Sequence, residues 1–232
     1  MEKRRVAIIT ARGGSKRIPR KNIKEFLGKP IIEYSISAAI TSGIFDEVMV
    51  STDDEEIAQI AKKAGAKIPF MRSADAANDY ATTTDVIGEV LKQYKECGQE
   101  FDYACCIYPT APFVTKELFM KARKLVEDEG ADACFPIIQF SFPPQRGMVI
   151  EDGIAKYKYP EYQFTRSQDL EGLYHDSGQF YYFDVKKFEN TGKLFGDTIK
   201  PIVISEMEAQ DIDNEDDWKI AELKYKMLQG DK

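Results

Sequence analysis

The sequence predicts an α/β domain with a mostly parallel sheet and helices on both faces. Three observations carry that prediction. Short apolar runs alternate with stretches of helical periodicity along most of the chain. Gly, Pro or a capping residue marks many of the junctions. Of the 232 residues, 43% are hydrophobic, which suffices for the core of one domain spanning residues 1–232.

The elements follow in chain order. Residues 6–9, VAII, form an apolar run of the buried-strand type. Gly28-Lys29-Pro30 leads into a helix, with Pro30 suited to its first turn and Gly43 to its exit. EVMVST, at 47–52, is a strand that ends in polar residues. Thr52-Asp53-Asp54-Glu55 matches a capping box for a helix running to Gly65. Residues 66–70 make another short strand. Residues 82–97 read as a helix with Val86, Ile87, Val90 and Leu91 on one stripe. A buried strand at 101–108, a helix at 114–129 and a strand at 131–138 continue the alternation. Crossovers in such a sheet are expected to be right-handed.

The pattern breaks at 139–173, where Pro143-Pro144, Pro160 and scattered aromatics replace periodicity. Residues 148–157 resemble a hairpin with Asp152-Gly153 as its turn. Phe140, Phe142, Tyr157, Tyr159, Tyr162 and Phe164 are many apolar groups for an exposed loop. The segment therefore reads as an insertion that packs against another subunit. Strands at 178–185 and 201–204 and a helix at 215–228, carrying the lone Trp218, complete the domain.

Composition excludes several classes. A net charge of −7 argues against a general nucleic-acid binder. No apolar run approaches the roughly 18–20 residues of a membrane span, so no membrane partner is expected. The apolar stretch in MEKRRVAIIT is too short for a signal peptide, so a cytoplasmic protein is expected. Cys97, Cys105, Cys106 and Cys134 form no C-x-x-C and read as reduced thiols, Cys105 and Cys106 facing opposite sides of a strand. A single histidine, His175, speaks against zinc.

Against the acidic whole, the segment between Glu2 and Glu25 holds nine Lys or Arg and no acid. Two glycines, Gly13 and Gly14, follow the first strand and let backbone N–H groups approach an anion. Arg12, Lys16, Arg17, Arg20 and Lys21 can supply countercharge to a polyphosphate. Neither the P-loop nor the dinucleotide fingerprint is present. A solvated basic turn or an RNA-facing patch are the other readings of this loop.

Ligands of open α/β sheets bind beyond the carboxyl ends of the strands. The basic loop, Tyr108-Pro109-Thr110-Ala111-Pro112 and Asp211-Ile212-Asp213 can all meet there. Asp211 and Asp213 share a face if extended and suit Mg²⁺; alternatively, Asp213 caps the last helix. Arg72 and the polar NDYATTT at 78–84 can hold a nucleobase or simply open a helix. His175-Asp176-Ser177-Gly178 is contiguous, which argues against a Ser/His/Asp triad. His175 reads as a substrate ligand and a candidate base.

ARGGSKRIPRKNI, at 11–23, resembles the first motif of the nonulosonate cytidylyltransferases, the CMP-sialic acid synthetase family. STD (51–53), YPTAP (108–112), GQFY (178–181) and DID (211–213) follow in that family's order. RSQDLEGLYHDSGQFY, at 166–181, looks most like the pseudaminic acid branch. Sialic acid synthetases usually carry Gln where Tyr108 stands, and Arg-x-Asn-Gly where residues 175–178 stand, so another nonulosonic acid is favoured.

The resemblance implies a Rossmann-like nucleotide-diphospho-sugar transferase fold and transfer of CMP from CTP to the anomeric 2-hydroxyl of the sugar. Pseudaminic acid is the first expectation; legionaminic, sialic or 3-deoxy-octulosonic acid, or a non-catalytic nucleotide-binding module, are the alternatives. It implies that Arg12, Ser15 and Lys21, with the backbone of Ala11, Gly13 and Gly14, contact the triphosphate. Arg72, Ala81, Thr83 and Thr110 would surround the nucleoside. Asp211 and Asp213 would hold Mg²⁺. Tyr108, Arg166, His175, Gln179 and Tyr181 would line the sugar side. Arg12, Lys21 and Asp211 would carry the catalytic roles. The insertion would form a homodimer contact, with Arg146 reaching the partner's site, and the product would serve cell-surface glycans such as those on flagellin.

Overall fold

The computed structural model describes residues 2–230. The first half holds β1 (Arg5–Thr10), β2 (Glu25–Phe26), β3 (Lys29–Pro30), α1 (Ile32–Ser42), β4 (Glu47–Ser51), α2 (Glu55–Lys63), α3 (Ala74–Ala77), α4 (Thr83–Glu96) and β5 (Tyr103–Ile107). The second half holds α5 (Lys116–Arg123), β6 (Ala133–Cys134), β7 (Pro136–Gln139), β8 (Met148–Glu151), β9 (Ile154–Tyr157), β10 (Tyr174–Asp176), β11 (Phe180–Asp184), α6 (Val185–Thr191), β12 (Ile202–Val203) and α7 (Glu215–Gln229).

The central sheet has the order β4-β1-β5-β11-β6. β1 runs parallel to β4 and β5, while β11 is antiparallel to both β5 and β6. Four strands thus point one way and β11 is reversed. β10 and β11 run in the same direction with a kink at Gly178 (φ +65°), and the chain reverses before them, between β7 and β10, so no helical crossover is needed. One face packs Ile32, Ile36, Ile57, Leu118 and Phe119 from α1, α2 and α5 against Ala7, Ile9 and Cys105. The other packs Ile87, Val90, Leu91 and Tyr94 of α4 and Phe188 of α6 against Val6, Ile8 and Cys106. Helices therefore cover both faces, and the paired cysteines point to opposite sides as the pleat requires.

Several boundaries differ from the sequence expectation. Pro30 lies in the two-residue strand β3, paired with Glu25, and not in the first turn of α1. Asp54 rather than Thr52 caps α2, accepting from Ile57 N at 3.0 Å. Residues 66–70 give only a bridge, Lys67 to Met49. The helix over 114–129 starts at Lys116 and widens into a π turn at Lys124–Asp128. That turn carries Glu127, which receives the Arg5 guanidinium and the Tyr182 hydroxyl. Residues 131–138 divide between β6 in the central sheet and β7 in a second sheet of order β10-β7-β12. The hairpin at 148–157 forms with Asp152 (φ 53°) and Gly153 (φ 77°) at its turn, the conformation Asp-Gly favours.

A third apolar cluster positions the site. Ile18 of the basic loop, Phe26, Tyr34, Phe113, Ile212 and Trp218 are buried together. The Phe26 ring meets Trp218 edge to face with centroids 5.7 Å apart. Burying large aromatic and branched side chains is worth on the order of 1.5–3 kcal/mol each. The cluster holds the start of α7, and with it Asp211-Ile212-Asp213, against the loop after β1. Among the described residues no helix is long and apolar enough to cross a membrane.

Candidate active site

A cleft of about 490 Å³ opens beside the ends of β1 and β5. Of the nine cations in the basic segment, Arg12, Lys16, Arg17 and Lys21 line it. Arg20 does not: its guanidinium is held by Asp54 and Glu56. Lys24 is held by Glu215. Arg4 lies over Phe101, and Lys3 and Arg5 pair with Asp102 and Glu127.

The loop is fixed from below. Ala11 is buried and donates its N–H to Ser51 O at 2.9 Å. Gly13 N donates to Asp53 Oδ1 at 2.9 Å, so this amide is spent inside the protein. Neither Gly13 nor Gly14 has a positive φ among the described residues. Glycine is needed at 13 for room, since a Cβ there would stand 2.8 Å from Asp54 Oδ2. Asn22, 5% exposed, donates to Arg12 O and braces the loop.

The opposite wall is the polar loop at 78–84. Asn78 Oδ1 accepts from Tyr80 N and Ala81 N, shaping the turn that presents Ala81, Thr82 and Thr83 to the cleft. Thr82 caps α4 with Asp85 in a capping box. Arg72, 9% exposed, forms part of the wall and is locked by Ser51, with Nη2 donating to its carbonyl at 2.7 Å. Burial pushes this guanidinium below its ordinary value. Asp79 bridges the two walls: it accepts from Arg12 Nη1 at 3.0 Å and Lys16 Nζ at 2.5 Å. These cations hold its carboxyl below the usual range, Lys16 most strongly.

Tyr108, Pro109 and Thr110 close the inner end, the Tyr108 hydroxyl lying 3.5 Å from Thr83 Oγ1. Lys21 marks the floor. Its ammonium donates to Ile212 O at 2.7 Å, between Asp211 and Asp213. Burial lowers the Lys21 pKa although both carboxylates oppose the shift. Asp213 pairs with Arg17 at 2.7 Å. Asp211 reaches the surface, yet partial burial and the adjacent Asp213 push its carboxyl above the ordinary range. The cap of α7 is Asn214, accepting from Asp216 N and Asp217 N, so Asp213 is not occupied in capping.

The structure thus brings Arg12, Ser15, Lys21, Arg72, Ala81, Thr83, Tyr108 and Thr110 to one cleft, with Asp211 and Asp213 joined to it through Lys21. Tyr181, 4% exposed, stands behind Tyr108, ring centroids 5.7 Å apart. Gln179 is buried, its carbonyl accepting from Tyr108 N and its Nε2 donating to Glu208 O. His175 and Arg166 are not among the cleft-lining residues. The His175 ring rests on Phe140, centroids 4.8 Å apart, and Arg166 pairs with Asp169. Arg146 donates to Ser167 Oγ within the insertion. Asp79, Asn22 and Asp53 escaped the sequence reading. For Asp79 the one signal was its place in the polar NDYATTT loop at 78–84.

Fold and cleft define a nucleotidyltransferase: a mostly parallel sheet whose cationic loop faces a carboxylate pair. The chain belongs to the cytidylyltransferase family, whose model matches residues 6–195. It is 40% identical over 223 residues to a pseudaminic acid cytidylyltransferase of Campylobacter jejuni, covering 96% of each chain. It is 30% identical to a CMP-N,N'-diacetyllegionaminic acid synthase of Legionella pneumophila, covering 94% of each. Among solved structures, a CMP:2-keto-3-deoxy-manno-octonic acid synthetase complexed with CTP shares the fold. Its TM-score is 0.69 at 18% identity, over 97% of this chain and 99% of that one.

Proposed function

We propose that this chain transfers CMP from CTP to the anomeric 2-hydroxyl of pseudaminic acid, releasing pyrophosphate. The observation that carries the reading is the meeting of Lys21 with the Asp211-Ile212-Asp213 segment at the floor of the cationic cleft. A triphosphate lying there would have cations on one side and a carboxylate pair on the other.

In the reaction the sugar hydroxyl attacks the α-phosphorus and pyrophosphate departs. An alcohol is a poor nucleophile toward an anionic phosphate, so alignment and charge neutralisation dominate. Arg12 and Lys16 exchange Asp79 for phosphate oxygens. Lys21 offsets the charge that builds on the phosphoryl group. Ala81 and Thr83 with Arg72 flank the nucleoside, and Ser15 and Thr110 complete the phosphate and inner walls. His175, held by Phe140, is given no role as base.

The Asp211–Asp213 pair suits Mg²⁺ chemically: it offers two hard oxygen donors, and partial burial, with Asp213 adding to it, raises the Asp211 carboxyl, a cost that a divalent cation would offset. Bound there, Mg²⁺ would supply countercharge to the phosphate oxygens. The choice of acid rests on the relative at 40% identity and on Tyr108 and the 175–178 segment, where this chain departs from the sialic acid pattern. Four free cysteines support a cytosolic setting.

Pyrophosphate release across the four NTPs and a panel of nonulosonic acids tests the proposal. Turnover is expected with CTP and pseudaminic acid, yielding a product of the mass of the CMP-sugar. Faster turnover with legionaminic, sialic or 3-deoxy-octulosonic acid would reassign the substrate. CTP binding without pyrophosphate from any acid would make the chain a binding module.

The insertion at 139–173 we read as a homodimer contact. Phe142 is 87%, Ile150 77% and Phe164 90% exposed, a costly apolar display for a monomer. Light scattering should give twice the chain mass, and a Phe142→Asp, Ile150→Asp double variant should give one. A monomeric wild type would refute this reading.

A further inference from the structure

We propose that Asp176 orients the sugar acid, accepting a hydrogen bond from one of its hydroxyl or amide N–H groups. The assignment rests on the sugar-acid reaction proposed above. Asp176 ends β10. Its Oδ2 accepts from the Tyr181 hydroxyl at 2.6 Å and its Oδ1 from Gly178 N at 2.8 Å.

Those two bonds triangulate its place. Tyr181 meets Tyr108 edge to face, and Tyr108 lines the inner end of the cleft. Gly178 borders the carboxylate pair: a Cβ there would lie 3.8 Å from Asp211 Cγ. Asp176 is therefore one residue removed from the cleft wall and one residue removed from Asp211. In the reaction proposed above, this corner, between Tyr108 and Asp211, is where the sugar would lie.

The carboxylate is suited to a ligand. It is exposed, and a carboxylate has about four acceptor positions, of which these bonds use two. Both partners are neutral, an amide and a phenol, so its charge is uncompensated by them. It will repel the acid group of the sugar and take a donor instead, which fixes how the sugar enters. The same segment carries a second polar feature. Ser177 is 3% and Gln179 2% exposed, yet Ser177 Oγ and Gln179 Oε1 have no hydrogen-bond partner. Buried polar atoms are normally satisfied, so these two leave hydrogen-bonding capacity unused on either side of Gly178.

The test compares wild type, Asp176→Ala and Tyr181→Phe, with CTP·Mg²⁺ affinity measured by calorimetry beside steady-state kinetics. Asp176→Ala should raise the KM for pseudaminic acid about 10–100-fold, as loss of a hydrogen bond to a charged group does. CTP affinity should stay at the wild-type value, which also shows that the variant is folded. Tyr181→Phe, which removes the tether but leaves the carboxylate, should raise the same KM by less. An unmoved sugar KM in Asp176→Ala, or an equal loss of CTP affinity, would overturn the assignment alone. A wild type inactive with every nonulosonic acid would overturn the reaction and this assignment with it.

Discussion

Lys21→Met should lower kcat by about 10²–10³-fold, the usual cost of removing one preorganised charge stabiliser. The reason lies in where the ammonium sits. It donates to Ile212 O at 2.7 Å, at the junction of the cationic loop with Asp211 and Asp213. A triphosphate bridging the two, as proposed, would pass it. Burial lowers its pKa, so desolvation outweighs the attraction of both carboxylates. A base with a depressed folded-state pKa costs stability while it is charged, and that cost fades as pH rises toward the unfolded-state value. Lys21→Met should therefore hold or raise the unfolding midpoint at neutral pH while lowering the rate. The wild-type rate should also fall on the alkaline side at a lower pH than an ordinary lysine would give. Single-turnover pyrophosphate release and thermal unfolding measure the two arms. A near-wild-type rate would remove Lys21 from the chemistry. A lost rate accompanied by a collapsed midpoint would make it a structural residue.

The sequence made the cationic side of the cleft legible because charge reversal and glycine are local signals. Arg12, Lys16, Arg17 and Lys21 lie within ten residues, and they reach one cleft. It did not show which cations would be free. Arg20 sits in the same run, but Asp54 and Glu56 come from another element and hold it. The pairing of Asp79 was hidden for the same reason, since its partners lie more than 60 residues away. The reversal of β11 was likewise hidden: an apolar strand reads alike in either direction, and the return is made by the irregular 140–173 segment between β7 and β10. His175 drew attention by its chemistry alone. The pleat instead turns its ring onto Phe140 of the neighbouring strand region, leaving Asp176 beside Tyr181.

Asp211→Asn should separate metal binding from folding. Asp211 is pushed above the ordinary carboxyl range, mainly by partial burial and then by Asp213. The sign follows from linkage. An acid whose folded-state pKa is raised contributes stability that is present below its unfolded-state pKa, roughly 3.9, and lost as pH rises through the folded-state value. At neutral pH the ionised pair is thus a cost to the metal-free protein. Replacing Asp211 by the neutral isostere should raise the metal-free unfolding midpoint at pH 7, and the gain should vanish below about pH 4. The same change removes a hard oxygen charge from the Mg²⁺ site. The Mg²⁺ needed for half-maximal rate should rise by at least the roughly 10–100-fold that loss of even an outer-shell partner costs. The midpoint increase that Mg²⁺ gives wild type in the presence of CTP should shrink in parallel, a readout independent of turnover. Opposite movements of the two quantities distinguish a functional carboxylate from a structural one. If Asp211→Asn left the metal titration unchanged, or lowered the metal-free midpoint, the pair would be holding the chain together and the Mg²⁺ assignment would fall.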